Sequence, residues 1–202
     1  MRSNPTLPRL FASALVVAYS LSIPSPARSG ELETPPAASV DLSSIAIDNF
    51  GPVNEHYFRG SRPAEHDYTA LAAIGIKTVI DLTGDDGESR EESLVKQAAM
   101  NYFHIPMNTR VAPTAEQVQQ FLRIVNDPAS QPVYVHCVGG RHRTGVMTAV
   151  YRISQDGWSA DRAFKEMKQF KFGADFLHPE FKKFVYAYAP SFRVAARPPR
   201  SS

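Results

Sequence analysis

Apolar positions recur along the chain in two rhythms. Over residues 65–74, Tyr68, Leu71, Ala72 and Ile74 fall at helical spacing, and Gly75 closes the segment. Residues 77–82 (KTVIDL) are apolar and β-branched, the pattern of a strand covered on both faces, and residues 84–87 form a loop at its C-terminal end. A helix over 88–100, a short strand over 101–105 and a polar loop over 108–113 follow. Thr114 caps a helix that carries Val118, Phe121, Leu122 and Val125 on one face. Residues 132–137 (PVYVHC) make another buried strand, followed by a glycine loop and a helix over 144–155 that Gly157 stops. Ser159 caps a helix through residue 170, and Pro179 opens the last one, to about residue 188. Upstream, residues 45–50 and 57–59 read as short strands around the turn formers Gly51 and Pro52. Strands alternating with helices predict an α/β fold, a mostly parallel central sheet of about four to five strands with helices on both faces.

The N-terminus follows another pattern. After Arg2 and Arg9, residues 10–23 are largely apolar and uncharged, shorter than the ~20 residues a bilayer span requires. Small residues and prolines come next, so residues 1–29 read as a secretory signal peptide cut after Ala27 or Ser29, with an uncleaved anchor as the alternative. Residues 30–41, with Thr34, Pro35 and Pro36, form a flexible lead-in. One domain over 42–188 and a loose basic tail over 189–202 complete the chain, and export to the periplasm is expected. No later segment is long enough to span, so the mature form should keep no stable membrane span. The composition permits a real core, with 43% hydrophobic residues and 12 Phe in 202 residues. A formal charge of +2 argues against nucleic acid as a partner, so any basic site must be local. Nothing in the pattern fixes an oligomeric state.

The single cysteine sits where an α/β sheet places its chemistry. Ligands bind at the carboxyl ends of strands, and Cys137 ends one. Gly139 and Gly140 let the backbone fold tightly, and the helix that follows presents unsatisfied amides and a positive dipole end. Val138, Gly139, Gly140, Arg141, His142 and Thr144 thus surround a cradle for a tetrahedral oxyanion, which Arg143 can grip with two parallel donors. The same surroundings favour the thiolate of Cys137, a nucleophile competent to attack phosphorus. Thr144 is expected to turn its hydroxyl toward the sulfur, and His136 to brace the loop through its backbone.

This segment, HCVGGRHRTG, with five residues between Cys137 and Arg143, resembles the signature of protein tyrosine and dual-specificity phosphatases. YFRGSRP, KTVIDL and their spacing to the loop are similar to small members of that family, periplasmic bacterial ones and the atypical plant and fungal group, over residues 57–186. The resemblance implies the family's fold and hydrolysis through a phosphocysteine, without metal or other cofactor, of a phosphorylated protein or a small phosphorylated substrate.

One part of the pattern is missing. Ester cleavage needs a proton for the leaving oxygen, and the family carries an Asp in the loop before the helix that precedes the cysteine strand. Here that loop, MNTRVAPT, has Asn108, Thr109 and Arg110 and no acid. Asp85 and Asp86, at a neighbouring strand end, are the first substitutes, with Glu116 and Asp175 behind them. Three other readings stay open. Arg141 and His142 would suit an inositol polyphosphate or pyrophosphate, and the absent acid would suit a phosphate-binding relative without turnover. A thiol redox protein would need a resolving cysteine that this sequence lacks. The six His form no close ligand pair with suitable acids, so a metallophosphatase is poorly served.

Overall fold

In the computed structural model, residue 42, residues 45–84 and residues 90–188 are described. The expected signal peptide, lead-in and basic tail lie outside these residues, as do Asp85 and Asp86. The strands are β1 (Gly51–Asn54), β2 (Tyr57–Ser61), β3 (Thr78–Asp81), β4 (Asn101–His104) and β5 (Val133–Cys137), in the order β1-β2-β5-β3-β4. Only the β1/β2 pair is antiparallel; β2, β5, β3 and β4 run parallel. The cysteine strand is therefore central, with Ser61 opposite Cys137 on one side and Asp81 opposite His136 on the other.

Side chains alternate across this sheet as the two-residue period of a strand demands. Val133, Val135 and Cys137 face a core built from α3 (Ala115–Val125), α4 (Arg143–Gln155), α5 (Ala160–Gln169) and α6 (Pro179–Ala187), including Phe121, Met147, Phe164 and Phe181. Tyr134 faces the opposite core, where Phe58 and Val79 meet Tyr68 and Leu71 of α1 (Asp67–Ala73) and Val95 of α2 (Glu91–Gln97). Helices cover both faces, as expected from the apolar strands within KTVIDL and PVYVHC, which are β3 and β5. Thr114 caps α3 with a full capping box, its hydroxyl accepting from the Gln117 amide and the Gln117 side chain accepting from the Thr114 amide. Ser159 caps α5 through the Arg162 amide, and Pro179 occupies the first turn of α6.

The N-terminal strands differ from expectation. Residues 45–50 are not a strand: a turn closes from the Phe50 amide to the Ile47 carbonyl, and Asn49 takes a left-handed conformation at φ 58°. The strand begins instead at the supposed turn, Gly51 and Pro52, and the hairpin turns at Glu55 and His56. Proline is tolerated because β1 is an edge strand, where a missing N–H need break no ladder bond. A side chain at Gly51 would meet the Phe170 ring, at 2.9 Å from an added Cβ. A 3-10 turn, Asp175–Leu177, before α6 was not legible in the apolar pattern.

Candidate active site

The loop between β5 and α4 closes on glycine. Gly140 has φ 63°, and any Cβ there would run into the Gly60 carbonyl on β2, so this position excludes a side chain twice over. Cys137, Arg143 and Thr144 are all buried where the strand ends and the helix begins. Burial pushes the Cys137 thiol up, but the hydroxyl and backbone amide of Thr144, the Arg143 guanidinium and His136 outweigh it and hold the thiol below its ordinary value. Thr144 is fully buried at the start of α4, directly beyond Arg143 on the loop that Cys137 opens. Arg143 donates from Nη1 to the Met107 carbonyl at 3.3 Å, tying the phosphate-loop arginine to the root of the loop over residues 108–113.

The other loop residues divide by what their side chains touch. Val138 is largely exposed, and its carbonyl accepts from the Arg62 amide at 3.2 Å. Arg141 lies 3.8 Å from Asp48, which also pairs with Lys171 at 2.5 Å. The His142 side chain does not bring the positive charge expected of it. Its Nε2 is 3.0 Å from the Phe172 carbonyl, and its ring lies 3.7 Å from that of His178. Burial, with His178, Arg141 and Arg143 nearby, brings its pKa down to about 4, so the ring is neutral at pH 7.

His136 differs from expectation as well. Strand alternation turns it away from Cys137 to the opposite face, where Nε2 is 2.7 Å from Glu91 Oε1 in an ion pair off the ideal hydrogen-bond line, and Nδ1 is 3.9 Å from Asp81. Burial pushes its pKa down, yet Glu91 and Asp81 outweigh burial and raise it, which favours an imidazolium beneath the cysteine. The Tyr68 hydroxyl donates to Glu91, while Tyr102 and Thr83 donate to Asp81. Asp81, Glu91 and His136 also offer ligand atoms within 4.8 Å of one another. This grouping of a histidine with two buried acids was not found in the sequence, where the six His showed no close pairing with acids; in the structure His136 and Glu91 form an ion pair beneath the cysteine strand. Sequence reasoning missed Glu91 and Asp81 as neighbours of the site; a carboxylate within a buried strand (KTVIDL) was the available signal.

Asn49 and Arg59 were missed too. Both donate to the Gly140 carbonyl, at 2.9 Å from Asn49 Nδ2 and 2.6 Å from Arg59 Nη2. Arg59 is fully buried with its guanidinium 4.0 Å from the centre of the Phe170 ring. Among the candidate acids, Asp175 is bonded to Lys168 and Lys182, both at 2.7 Å, and these lysines hold its carboxyl below the usual range, poor conditions for a proton donor. Glu116 lies exposed in the first turn of α3, where hydrogen bonds, its own backbone amide first and then Thr114, also lower it.

The site thus combines a low-pKa sulfur, a buried arginine and a glycine-hinged loop at a helix N-terminus, all at the carboxyl end of the central strand. The dual specificity protein phosphatase TpbA of Pseudomonas aeruginosa is 26% identical over 166 residues, 82% of this chain and 73% of that protein. The inositol diphosphatase SIW14 of Saccharomyces cerevisiae is 26% identical over 138 residues, 66% of this chain but only 49% of its own length. The crystal structure of the core catalytic domain of the PP-IP phosphatase SIW14, in complex with citrate, matches with a TM-score of 0.63 at 26% identity, covering 72% of this chain and 88% of that one. Residues 38–181 match the family described as "DSP-PTPase phosphatase fused to NAD+ Kinase", a stretch that takes in every strand and the whole Cys137 loop. By that match and the cysteine-centred site within it, the chain belongs to the cysteine-dependent DSP-PTPase family of phosphatases.

Proposed function

We propose that this chain hydrolyses phosphomonoesters without a metal, through a phosphocysteine on Cys137, as a protein tyrosine or dual-specificity phosphatase. The observation that carries the reading is a buried thiol held below its ordinary pKa on the same short loop as Arg143. The Cys137 thiolate attacks phosphorus, a P–S bond forms and the ester P–O bond breaks. Arg143 and the loop backbone over residues 138–144 stabilise charge on the transferring phosphoryl oxygens. The leaving oxygen takes a proton from Asp85 or Asp86, a role supported by β3, which runs beside β5 and leads to them. Water then attacks the phosphocysteine, its proton returns to that carboxylate, and the P–S bond breaks with the Thr144 hydroxyl beside the departing sulfur.

A second reading, an inositol polyphosphate or pyrophosphate substrate, is favoured by the half-exposed Arg141 beside the loop and by the likeness to SIW14. Residues 1–29 support export to the periplasm, with a mature N-terminus after Ala27 or Ser29 that N-terminal sequencing of the exported protein would establish. The deciding experiment is a panel of phosphotyrosine, phosphoserine and phosphothreonine peptides and inositol phosphates, assayed with and without chelator and after thiol alkylation. Turnover of phosphopeptides that survives chelator and disappears on alkylation is expected. Exclusive turnover of inositol phosphates would select the second reading, and activity indifferent to alkylation would overturn both.

A further inference from the structure

We propose that Asn49 and Arg59, from outside the signature loop, are positioning residues that aim the loop's backbone amides at the bound oxyanion by holding its carbonyls away. The inference rests on the phosphatase reading above. A trans peptide points its C=O and its following N–H in opposite directions, so a carbonyl that is pinned outward fixes an amide that points inward. The Gly140 carbonyl is pinned twice, by Arg59 Nη2 at 2.6 Å and Asn49 Nδ2 at 2.9 Å, which sets the direction of the Arg141 amide. Asn49 Nδ2 also lies 3.4 Å from the Gly139 carbonyl, a weaker contact that shares one of the two hydrogens given to Gly140 and Phe170. Without these donors, a glycine-hinged peptide at φ 63° has little to stop it from rotating and presenting oxygen lone pairs to an anion.

The clamp is itself held. Asn49 takes φ 58°, a conformation that asparagine tolerates better than most residues, and its amide also donates to the Phe170 carbonyl at 3.0 Å. Arg59 is fully buried against the Phe170 ring, and its Nε and Nη1 have no hydrogen-bond partner. A cation kept in so dry a place at the cost of unmade bonds is poor economy for stability alone. On β2 it lies on the same face of the sheet as Cys137, since Arg59 pairs with Val135 and Ser61 with Cys137.

The test is calorimetric titration of the whole protein with inorganic phosphate, alongside kcat and KM for an aryl phosphate and the thermal midpoint. Asn49→Gly removes the amide while keeping the left-handed backbone accessible, and Asn49→Asp sets a carboxylate against the carbonyl. Phosphate affinity should fall about tenfold in Asn49→Gly, the scale of one lost hydrogen bond aimed at a charged ligand, and further in Asn49→Asp. Both variants should lose kcat while remaining folded. Arg59→Met should weaken phosphate similarly, and Arg59→Lys, which restores one cationic donor, should recover part of the loss. Should Arg59→Met fail to fold, the two Asn49 variants decide. Variants that melt earlier but bind phosphate as tightly as wild type would overturn the proposal and leave these residues as loop supports only. A wild-type protein that binds no phosphate would instead overturn the phosphatase reading on which the proposal rests.

Discussion

Burial alone would keep Cys137 a protonated thiol at neutral pH, and four neighbouring groups reverse that balance. Two of them, the hydroxyl and amide of Thr144, come from the helix start; Arg143 and His136 supply positive charge from either side of the sheet. Cys137→Ser should therefore abolish turnover yet still bind inorganic phosphate, because a serine hydroxyl is not ionised near pH 7. Arg143→Lys should lose most of the activity, since a point charge cannot replace a planar fork on a phosphoryl group. Near-normal rates in either variant would contradict the assigned role. The His136 charge makes a separate prediction. A lowered thiol pKa extends the thiolate form to lower pH, so iodoacetate should inactivate the enzyme well below pH 8.5. In Glu91→Gln the imidazolium loses one carboxylate, His136 holds its proton less firmly, and the alkylation midpoint should move to higher pH. An unchanged midpoint in a folded variant would limit Glu91 to a packing role.

The phosphate loop works as an element because two strands and a helix meet at it. Gly140 sits at φ 63° against the Gly60 backbone, whereas Gly157, at φ 67° after α4, has open space around it. Both positions penalise an L side chain, but only the first also clashes. Gly157→Ala should cost about 1 kcal/mol of stability, and Gly140→Ala about 2–4 kcal/mol together with phosphate binding. Equal losses measured by chemical denaturation would contradict the close packing of Gly140 on Gly60. Much of this element was legible in the sequence. An apolar strand, a lone cysteine, two glycines and an arginine at the start of a helix each have a local physical reason, and together they located the loop. Its supports were not legible, because Asn49, Arg59, Asp81 and Glu91 reach the loop only through the tertiary fold. Residues 45–50 misled for a related reason: their apolar residues pack against the core from a turn, and the left-handed Asn49 leaves no periodic trace.

At the scale of the molecule, a five-stranded sheet separates two apolar layers, and the catalytic loop stands at one end of its central strand. Phe121→Ala empties a fully buried site in one layer and Leu71→Ala in the other, so both should destabilise, by about 3–5 and 2–5 kcal/mol respectively, in one cooperative transition. Two separable transitions would show that the layers do not fold as a unit. The order of elements and the mostly parallel sheet followed from alternating strand and helix patterns. The proton donor did not, since which acid faces a cleft depends on loop placement rather than periodicity. If Asp85 or Asp86 donates the proton, its change to Asn should slow alkyl phosphates far more than an activated aryl phosphate, whose phenolate leaves unaided. Equal slowing, or none, would assign the proton elsewhere. The most direct measurement is to quench the wild-type enzyme in denaturant during turnover of an aryl phosphate and map the phosphoryl group by peptide mass spectrometry. Phosphate should be found on Cys137 and nowhere in Cys137→Ser, whereas turnover with Cys137 unmodified, or retained by Cys137→Ser, would contradict cysteine catalysis outright.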